Sequence, residues 1–471
     1  MTQKKENVIL LLSLLITTGV IAGGLWWLFG NKKSLNVSDN APKGDRPAIV
    51  AKDAVASKPS TGDEILFLGD LNPEKQAAAK AIASQNYTEG SSLLQQSLSK
   101  QPNDPEALIY LNNARIGKNQ AYSIAVPVPI STEETTAKEI LRGVAQAQSE
   151  INQQGGINNV PLKVIIVNDN NDPETAQLVA QALVKDKDIL GVVGHFSSGV
   201  TLATAPIYEQ NKLVAISPSS TAIEITNAGD YIFRTVPSDR FTSSALAKYL
   251  LDQLQQTQAA IIYNSQSAYS KSLQETFTTD VLSNGGEVVA EVDLSENNFN
   301  PAEALKTIQA QGAKALVFLN DSATVDKAYL LMQLNNRKLP LLGGNSLYKP
   351  QTLQIAGEKA QGLVLGVPWN ALGSPNTEFT AATRRLWGGD VNWRTAMAYD
   401  ATQVLVAGLS QNPSRSGIQT AISQSGFNVS GASGTIKFLT SGDRNAAVQL
   451  VTVQPGDRSS YGYDFVPLKG E

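Results

Sequence analysis

From about Tyr122 onward, short apolar runs alternate with longer stretches in which apolar residues recur every three or four positions. The runs are rich in β-branched residues, as is typical of strands buried on both faces of a sheet. The longer stretches have the period of an amphipathic helix. The predicted strands are 123–130, 162–167, 189–194, 212–217, 259–264, 287–292 and 314–319. Strands and helices that alternate in this way predict parallel sheets covered by helices on both faces.

Local signals mark where the predicted helices begin and end. Asp172-Pro173-Glu174 combines a capping side chain, a proline suited to a first helical turn and an acid near the positive end of the helix dipole. Gly155-Gly156 ends the periodic stretch 137–151. Further helices are predicted around 268–283, 301–311 and 322–335. About 350 residues of this alternation exceed one compact domain, so the sequence predicts an α/β protein with two lobes.

An uncharged stretch at residues 8–30 precedes this region. At about 1.5 Å per residue it can cross a hydrocarbon core of about 30 Å, and Trp26 and Trp27 near its end suit a membrane interface. A cleaved signal peptide is the alternative, but its apolar part usually has only about 7–15 residues. We therefore predict a tail at 1–7 and a retained single-pass anchor at 8–30, with the N-terminus cytoplasmic and the bulk of the chain extracytoplasmic. Lysines flank both ends of the stretch, so charge alone does not fix this orientation.

Residues 31–120 divide into two parts. Residues 31–62 have many Lys, Asp, Ser and Pro residues without an apolar period, which predicts a flexible spacer. Residues 63–120 have helical periods and resemble part of a tetratricopeptide repeat at Tyr87, Gly90, Leu94, Leu98 and Pro102. About one and a half repeats are present, whereas about three usually stand alone. Two interpretations stay open: a small helical hairpin packed on its neighbour, or a module that binds a protein partner.

The composition narrows the possible functions. A formal net charge of −4 argues against nucleic acid as a partner. The sequence has no cysteine, which excludes disulfides, thiolate metal sites, cysteine nucleophiles and a lipidated cysteine. His195 is the only histidine, so sites that need two imidazoles are excluded. The sequence also lacks GxSxG, HExxH and phosphate-binding glycine motifs. We therefore expect no catalysis, no metal and no cofactor, and any ATPase that works with this chain would be a separate protein.

Hydroxyl-rich turns follow two of the predicted strands. Residues 195–199 (HFSSG) follow the strand at 189–194, and residues 218–221 (PSST) follow the strand at 212–217. Ligands of open parallel sheets bind beyond the carboxyl ends of the strands, where helix N-termini present free N–H groups. Two such turns at neighbouring strand ends predict a site for a carboxylate. The alternative is that the serines only cap their helices.

Four segments also carry a family resemblance: 141–157, 167–176, 191–210 and 215–226. In this order they resemble the branched-chain amino-acid receptors among the type I periplasmic binding proteins, from about Tyr122 to about Leu409. The resemblance implies two lobes joined by three crossovers and a ligand held between them by hinge closure. It also implies an amino-acid-like ligand and an ABC permease as partner. With this fold, we place lobe 1 at about 121–240 and 369–430, and lobe 2 at about 241–368 and 431–471, within a domain that spans 121–471.

The resemblance implies roles for individual residues. Ser198 falls where such receptors hold the ligand carboxylate, and Ser219 and Thr221 fall in the second turn, which supplies backbone and hydroxyl contacts. Tyr269 matches a tyrosine that follows a strand of the second lobe.

One position departs from the family pattern. The acidic residue that usually meets the ligand ammonium is matched here by Asn345. Because a buried ammonium without a carboxylate is costly, either Asp321 serves at a nearby strand end or the ligand is not a simple α-amino acid. Trp369 lies near a predicted crossover, where it either stacks on the ligand or packs at the hinge. We expect His195 to be a turn residue bonded to the backbone, and Asp400 to be structural.

Two classes of function fit these observations. The first is a membrane-tethered receptor for an amino acid or a related small polar molecule that serves an ABC importer. The second is a scaffold, regulator or ligand-sensing module that uses the receptor fold without transport. Helical repeats before this fold resemble the arrangement in lipoprotein activators of penicillin-binding proteins, although those carry a lipidated cysteine and this chain has none.

Overall fold

A computed structural model describes residues 58–468 of the chain. The predicted tail, the predicted anchor and residues 31–57 of the predicted spacer lie outside this range. Within it, no helix combines the length and the apolar character that a bilayer crossing requires.

The described chain alternates strands and helices as the apolar pattern predicts. The strands are β1 (Tyr122–Val128), β2 (Leu162–Asn168), β3 (Ile189–Val193), β4 (Val214–Ser217), β5 (Ile232–Arg234), β6 (Gln258–Tyr263), β7 (Glu287–Asp293), β8 (Ala315–Phe318), β9 (Leu341–Gly343), β10 (Val364–Val367), β11 (Val429–Gly431), β12 (Gly434–Ile436), β13 (Gln449–Pro455) and β14 (Tyr463–Pro467). The helices are α1 (Pro73–Ala83), α2 (Tyr87–Lys100), α3 (Pro105–Ile116), α4 (Glu134–Gln153), α5 (Pro173–Lys185), α6 (Ser198–Gln210), α7 (Asp239–Lys248), α8 (Ala268–Ser283), α9 (Pro301–Ala310), α10 (Val325–Asn335), α11 (Thr377–Trp387), α12 (Trp393–Gln411) and α13 (Arg415–Ile422).

Lobe 1 is built on a parallel sheet of five strands in the order β2-β1-β3-β4-β5. Successive residues of β1 point to opposite faces: Ile124 and Val126 enter one hydrophobic cluster, and Ala125 enters another. Helices α4 and α12 cover the first face and touch backbone to backbone, since a Cβ on Gly143 would lie 2.1 Å from the carbonyl oxygen of Thr395. This close packing keeps the start of α12 at the carboxyl edge of the sheet.

Lobe 2 has a sheet of seven strands in the order β14-β13-β10-β9-β8-β6-β7. The five consecutive strands from β10 to the edge strand β7 are parallel to one another. The last two strands of the chain add an antiparallel pair at the other edge. The two lobes therefore form the expected α/β architecture, except that the second sheet is mixed rather than wholly parallel.

The chain passes between the lobes three times: between β5 and α7, after β10, and between Arg444 and β13. The last crossing comes later than the sequence placed it, because residues 431–445 belong to lobe 1. Ala432 and Ile436 lie in the lobe 1 core, and Asp443 pairs with Arg234 of β5 at 2.6 Å. The strands of the short hairpin β11–β12 could not be predicted, because neither contains an apolar run of sufficient length.

Asp400 anchors that hairpin. Its buried carboxylate accepts the N–H of Ala432 at 2.6 Å and the hydroxyl of Ser433, and it lies 3.9 Å from Arg444. Burial raises its pKa to about 6 in spite of these partners. Asp400 therefore ties α12 to the hairpin and has the structural role that we expected.

Helices α1–α3 pack against lobe 1 next to its edge strand β2. Ser60 exchanges two backbone hydrogen bonds with Ile166, of 2.9 and 3.0 Å. The side chain of Asn113 in α3 accepts the N–H of Val164 at 3.2 Å and donates to its carbonyl at 2.7 Å. An open strand edge is a template for unwanted pairing, and these contacts close it. Residues 58–62, which the sequence placed in the spacer, are thus already part of the folded lobe.

The contacts of Asn113 predict a stability effect. Replacing Asn113 with Leu leaves the N–H and C=O of Val164 buried without partners, so we expect the free energy of unfolding to fall by about 2–4 kcal/mol. Asn112→Leu is the matched control, since Asn112 is also buried in α3 but its Nδ2 has no partner among the described residues. Urea unfolding of both variants measures the difference. Equal losses in the two variants would show that the edge contacts add nothing.

Asp239 starts α7 directly after the first crossover and predicts a dependence of stability on pH. Its carboxylate is buried and accepts the Ser272 hydroxyl at 2.7 Å. Burial raises its pKa from 3.8 to about 6. Between these values the unfolded chain has lost a proton that the folded chain keeps, so this group's contribution to stability falls as the pH rises from about 4 to about 6.

Asp239→Asn removes this titration. Relative to the unsubstituted protein, we expect the variant to gain up to about 3 kcal/mol of stability between pH 4 and pH 7. Urea unfolding over a pH series measures this change, with the exposed Asp188→Asn as control for the substitution itself. A stability difference that does not vary with pH would contradict the assignment.

Candidate ligand-binding cleft between the lobes

A cleft lies where the carboxyl ends of the two sheets face each other. It encloses about 530 Å³, part of it open to solvent. Helix α6 of lobe 1 begins directly after the turn that follows β3, and α8 of lobe 2 begins shortly after β6, so both present their N-termini at this edge. The lobe 1 lining is Glu133, Asn171, Phe196, Ser197, Ser198, Ser219, Trp393 and Arg394. The lobe 2 lining is Ser267, Tyr269, Asp321, Ser322, Ala323, Asn345 and Ser346.

The structure brings most of the predicted site residues together in this cleft. Ser198 and Ser219 line it from lobe 1, and Tyr269, Asp321 and Asn345 line it from lobe 2. These residues follow five different strands, and parallel pairing places the carboxyl ends of those strands at one edge of each sheet.

Two predicted site residues lie outside the lining. Thr221 is buried, and its carbonyl accepts the N–H of Asp239 at 2.8 Å, so it packs at the first crossover. Trp369 is buried in the core of lobe 1, where its Nε1 donates to Ser374 at 3.1 Å and its ring meets Phe379 edge-on. Of the two interpretations of Trp369, the structure supports packing at the crossover and not stacking on a ligand.

His195 also differs from the prediction. It is not held only through the backbone: its buried ring lies 2.7 Å from Asp169 Oδ2 through Nδ1 and 2.9 Å from the Tyr208 hydroxyl through Nε2. A buried imidazole requires partners for both nitrogens; Asp169, directly after β2, and Tyr208 of α6 supply them. This side chain therefore fixes the first turn from behind the cleft.

The two hydroxyl-rich turns are tied to each other. Ser198 Oγ accepts the N–H of Ala222 at 3.2 Å, and Ser219 Oγ donates to the carbonyl of Phe196 at 2.7 Å. Ser197 precedes α6 but makes no side-chain capping bond. The hydroxyls therefore brace the turns without closing the first turn of α6, whose amides stay available at the cleft. This arrangement speaks against the interpretation that these serines only cap their helices.

In lobe 2, Asp321 offers an acceptor to the cleft. Its Oδ1 accepts bonds from Asn264 Nδ2 at 3.0 Å and from the Thr324 N–H and hydroxyl at 3.2 and 2.8 Å. Among the described residues, no hydrogen bond falls on Oδ2. A carboxylate held through one oxygen keeps the other in place for a positively charged partner.

Several lining side chains have buried polar atoms without a partner in the described part of the chain. They are Asn171 Oδ1, the Tyr269 hydroxyl, Asn345 Nδ2, Trp393 Nε1 and Arg394 Nε. Burial raises the pKa of Tyr269, and the nearby Ser346 groups oppose this rise without meeting hydrogen-bond geometry. Buried polar groups in folded proteins are nearly always paired. Five of them in one cleft are consistent with a surface that binds a polar ligand.

Trp393 and Arg394 were not predicted from the sequence. Both are buried at the start of α12, where Asn392 caps the helix by accepting the N–H of Arg394 at 3.2 Å. The guanidinium lies 4.4 Å from the Trp393 ring and 5.8 Å from the Phe196 ring. The capping asparagine was a usable signal for the helix start. Nothing local showed that this start reaches the cleft, because its position depends on the packing of α12 against α4.

Several polar contacts link the lobes, and two of them involve residues close to the cleft. The N–H of Ile223 in lobe 1 donates to Ser272 Oγ in lobe 2 at 3.0 Å. Lys349 of lobe 2 lies 3.6 Å from Glu133 of lobe 1. The lobes of this structure are therefore in direct contact on either side of the cavity.

Comparison with known proteins agrees with this architecture. A family model described as "Periplasmic binding protein" matches residues 122–458. The Leu/Ile/Val-binding protein of Escherichia coli K12 is 26% identical over 275 residues, which cover 57% of this chain and 74% of that protein. The Leu/Ile/Val/Thr-binding protein of Salmonella typhimurium LT2 is 28% identical over 278 residues, with the same two coverages of 57% and 74%. These relatives are solute-binding receptors and not enzymes.

Solved structures show the same fold. A leucine-binding protein from Thermotoga maritima MSB8 superposes with a TM-score of 0.66 at 21% identity, over 74% of this chain and 98% of that one. An ABC transporter substrate-binding protein from Desulfitobacterium hafniense, in complex with Leu, gives 0.63 at 24% identity, over 74% and 100%. The family match includes the first sheet, the second sheet through β13, and all three crossovers. On these grounds the chain belongs to the periplasmic binding protein family.

Proposed function

We propose that this protein is an extracytoplasmic receptor that binds an amino acid, or a closely related small polar molecule, and delivers it to an ABC importer. The anchor predicted at residues 8–30 would hold it at the membrane. The observation that carries the proposal is the pairing of opposite chemistry across the cleft. The uncapped start of α6 on lobe 1 faces the Asp321 carboxylate on lobe 2.

This pairing suits the two charged groups of an α-amino acid. Free amides and the positive end of a helix dipole favour a carboxylate, and Ser198 and Ser219 add hydroxyls beside them. The position where the family usually has an acidic residue is Asn345 in this chain, and Asp321 then binds the ammonium in its place. A ligand held from both lobes stabilises the closed arrangement, which is how hinge-closing receptors respond to solute.

The open polar groups favour ligand binding over a scaffold that has lost its ligand. A cleft without a ligand gains nothing from burying unpaired donors, since each costs free energy. The N-terminal helices α1–α3 give no comparable support to a separate partner-binding module. Helix α3 is buried, and its Asn113 is bonded to the edge strand β2 of lobe 1.

Calorimetry of the full-length chain in detergent tests the proposal directly. Against a panel of amino acids and small amides, we expect at least one ligand to bind with a dissociation constant in the micromolar range or below. Absence of heat for every member of a broad panel would defeat the receptor function.

Tyr269→Phe sharpens this experiment, because the lost hydroxyl makes no hydrogen bond within the described residues. We expect ligand affinity to fall by about 3- to 10-fold, the equivalent of one hydrogen bond. The melting temperature should stay the same or rise. Tyr231→Phe is the control, because Tyr231 lies directly before β5, at the amino end of that strand, and does not line the cleft.

Asp321→Asn tests the ammonium contact. The variant keeps an Oδ1 that can accept from Asn264 and Thr324, but it removes the charge. We expect affinity for the amino acid to fall by about 10- to 100-fold, while the weaker binding of its des-amino analogue stays unchanged. Asp186→Asn serves as control, because Asp186 also accepts a backbone N–H in an exposed turn. Equal losses for both ligands would place the ammonium elsewhere.

A further inference from the structure

A third group of donors remains in the cleft after the carboxylate and ammonium contacts are assigned. Trp393 Nε1 and Arg394 Nε lie on adjacent residues at the start of α12, and neither has a partner among the described residues. Trp393 is 1% exposed and Arg394 is 2% exposed. Both line the cavity, where a ligand can supply an acceptor for them.

The position of the guanidinium is fixed by its other contacts. Arg394 Nη1 lies 3.1 Å from Glu139 Oε2 and 3.4 Å from Asn392 Oδ1. Its Cζ lies 4.4 Å from the centre of the Trp393 ring. These contacts hold the guanidinium through Nη1 and leave Nε without a partner among the described residues.

Charged groups of both signs surround this arginine. Burial raises the pKa of Glu139, and three cations, Arg394, Arg142 and Lys349, oppose this rise. A second carboxylate, Glu133, lies 3.6 Å from Lys349. Asp70 acts on Arg142 in turn, and Asp321 lines the cavity from lobe 2. Burial, and then the positive charge of Arg394, lowers the pKa of Lys349, while Glu133 and Glu139 oppose this shift.

The chemistry of the two donors restricts what they can bind. An indole N–H and a guanidinium only donate hydrogen bonds, so neither can pair with a second ammonium or an amide N–H. A guanidinium edge matches the plane and charge of a carboxylate. A purely aliphatic side chain would leave both donors unpaired, while the Phe196 ring offers an apolar wall for a short methylene chain.

We propose, building on the receptor function above, that the ligand is a dicarboxylic amino acid whose side-chain carboxylate binds Arg394 Nε and Trp393 Nε1. The α-carboxylate lies at the start of α6 and the ammonium at Asp321. Three groups of the ligand thus meet three separate sets of partners, two of them on lobe 1 and one on lobe 2.

Calorimetry of the full-length chain with L-glutamate, L-aspartate, L-glutamine and L-leucine tests this proposal. We expect glutamate or aspartate to bind at least 10-fold more tightly than leucine, and the preferred acid to bind more tightly than glutamine. Trp393→Phe keeps an aromatic ring on the guanidinium and removes one donor. It should weaken binding of the acid by about 3- to 10-fold without changing binding of leucine.

Arg394→Lys provides a second variant, which keeps a charge near Glu139 but loses Nε. It should weaken binding of the acid by at least 10-fold and reduce the preference over leucine. Trp387→Phe is the matched control, since Trp387 is buried in α11 with an unpartnered Nε1 but does not line the cleft. Its affinity should equal that of the unsubstituted protein.

The outcomes separate this proposal from the receptor function. Tightest binding of leucine, with no effect of Trp393→Phe, would overturn the dicarboxylate subsite and leave the receptor function standing. Glutamine bound as tightly as glutamate would overturn the charge assignment. Absence of binding by all four ligands and by the wider panel would overturn both.

Discussion

Free backbone amides at the start of α6 are the feature on which the binding site depends. Helix N-termini leave N–H groups without intrahelical partners, and in most helices a capping side chain takes one of them. Helix α8 across the cleft is capped by Ser267, whose Oγ accepts the N–H of Ser270 at 3.4 Å. In α6 the corresponding Ser197 makes no such bond. In the proposed binding mode this difference assigns the ligand carboxylate to the start of α6 and the ammonium to Asp321 of lobe 2.

The rest of lobe 1 holds this helix start in place. Behind the start of α6, the ring of His195 has partners on both nitrogens. The second hydroxyl-rich turn is bonded to the first through Ser219 and the carbonyl of Phe196. At the far edge of the sheet, Asn113 and Ser60 close strand β2. The hydroxyls of Ser198 and Ser219 and both nitrogens of His195 are thus paired, whereas several side chains that line the cavity keep an unpaired polar atom within the described residues. Such a division is expected where a rigid scaffold presents groups to a ligand.

The sequence was informative where function depends on local order. The alternation of apolar runs placed the strands before both serine-rich turns, and the strand-end rule then brought Ser198 and Ser219 to one edge. Arg394 was missed because its place is set by the close contact of α4 and α12, which are far apart in the chain. The third crossover was misplaced for a related reason: residues 431–445 join lobe 1 through Asp400 and Arg234, and neither contact has a sequence signature.

The contacts between the lobes determine how much a ligand has to contribute to closure. The bonds from Ile223 to Ser272 and from Lys349 to Glu133 join the lobes without any ligand, so they lower the free energy of the closed arrangement for every solute alike. Contacts that are the same for all solutes cannot discriminate between them. Discrimination must then come from groups that only the right ligand satisfies. In this cleft those groups are the open oxygen of Asp321 and the donors of Tyr269, Trp393 and Arg394. A solute that leaves any of these donors unpaired keeps its desolvation cost within the closed cleft. In the proposed receptor, the same polar atoms therefore set both affinity and selectivity.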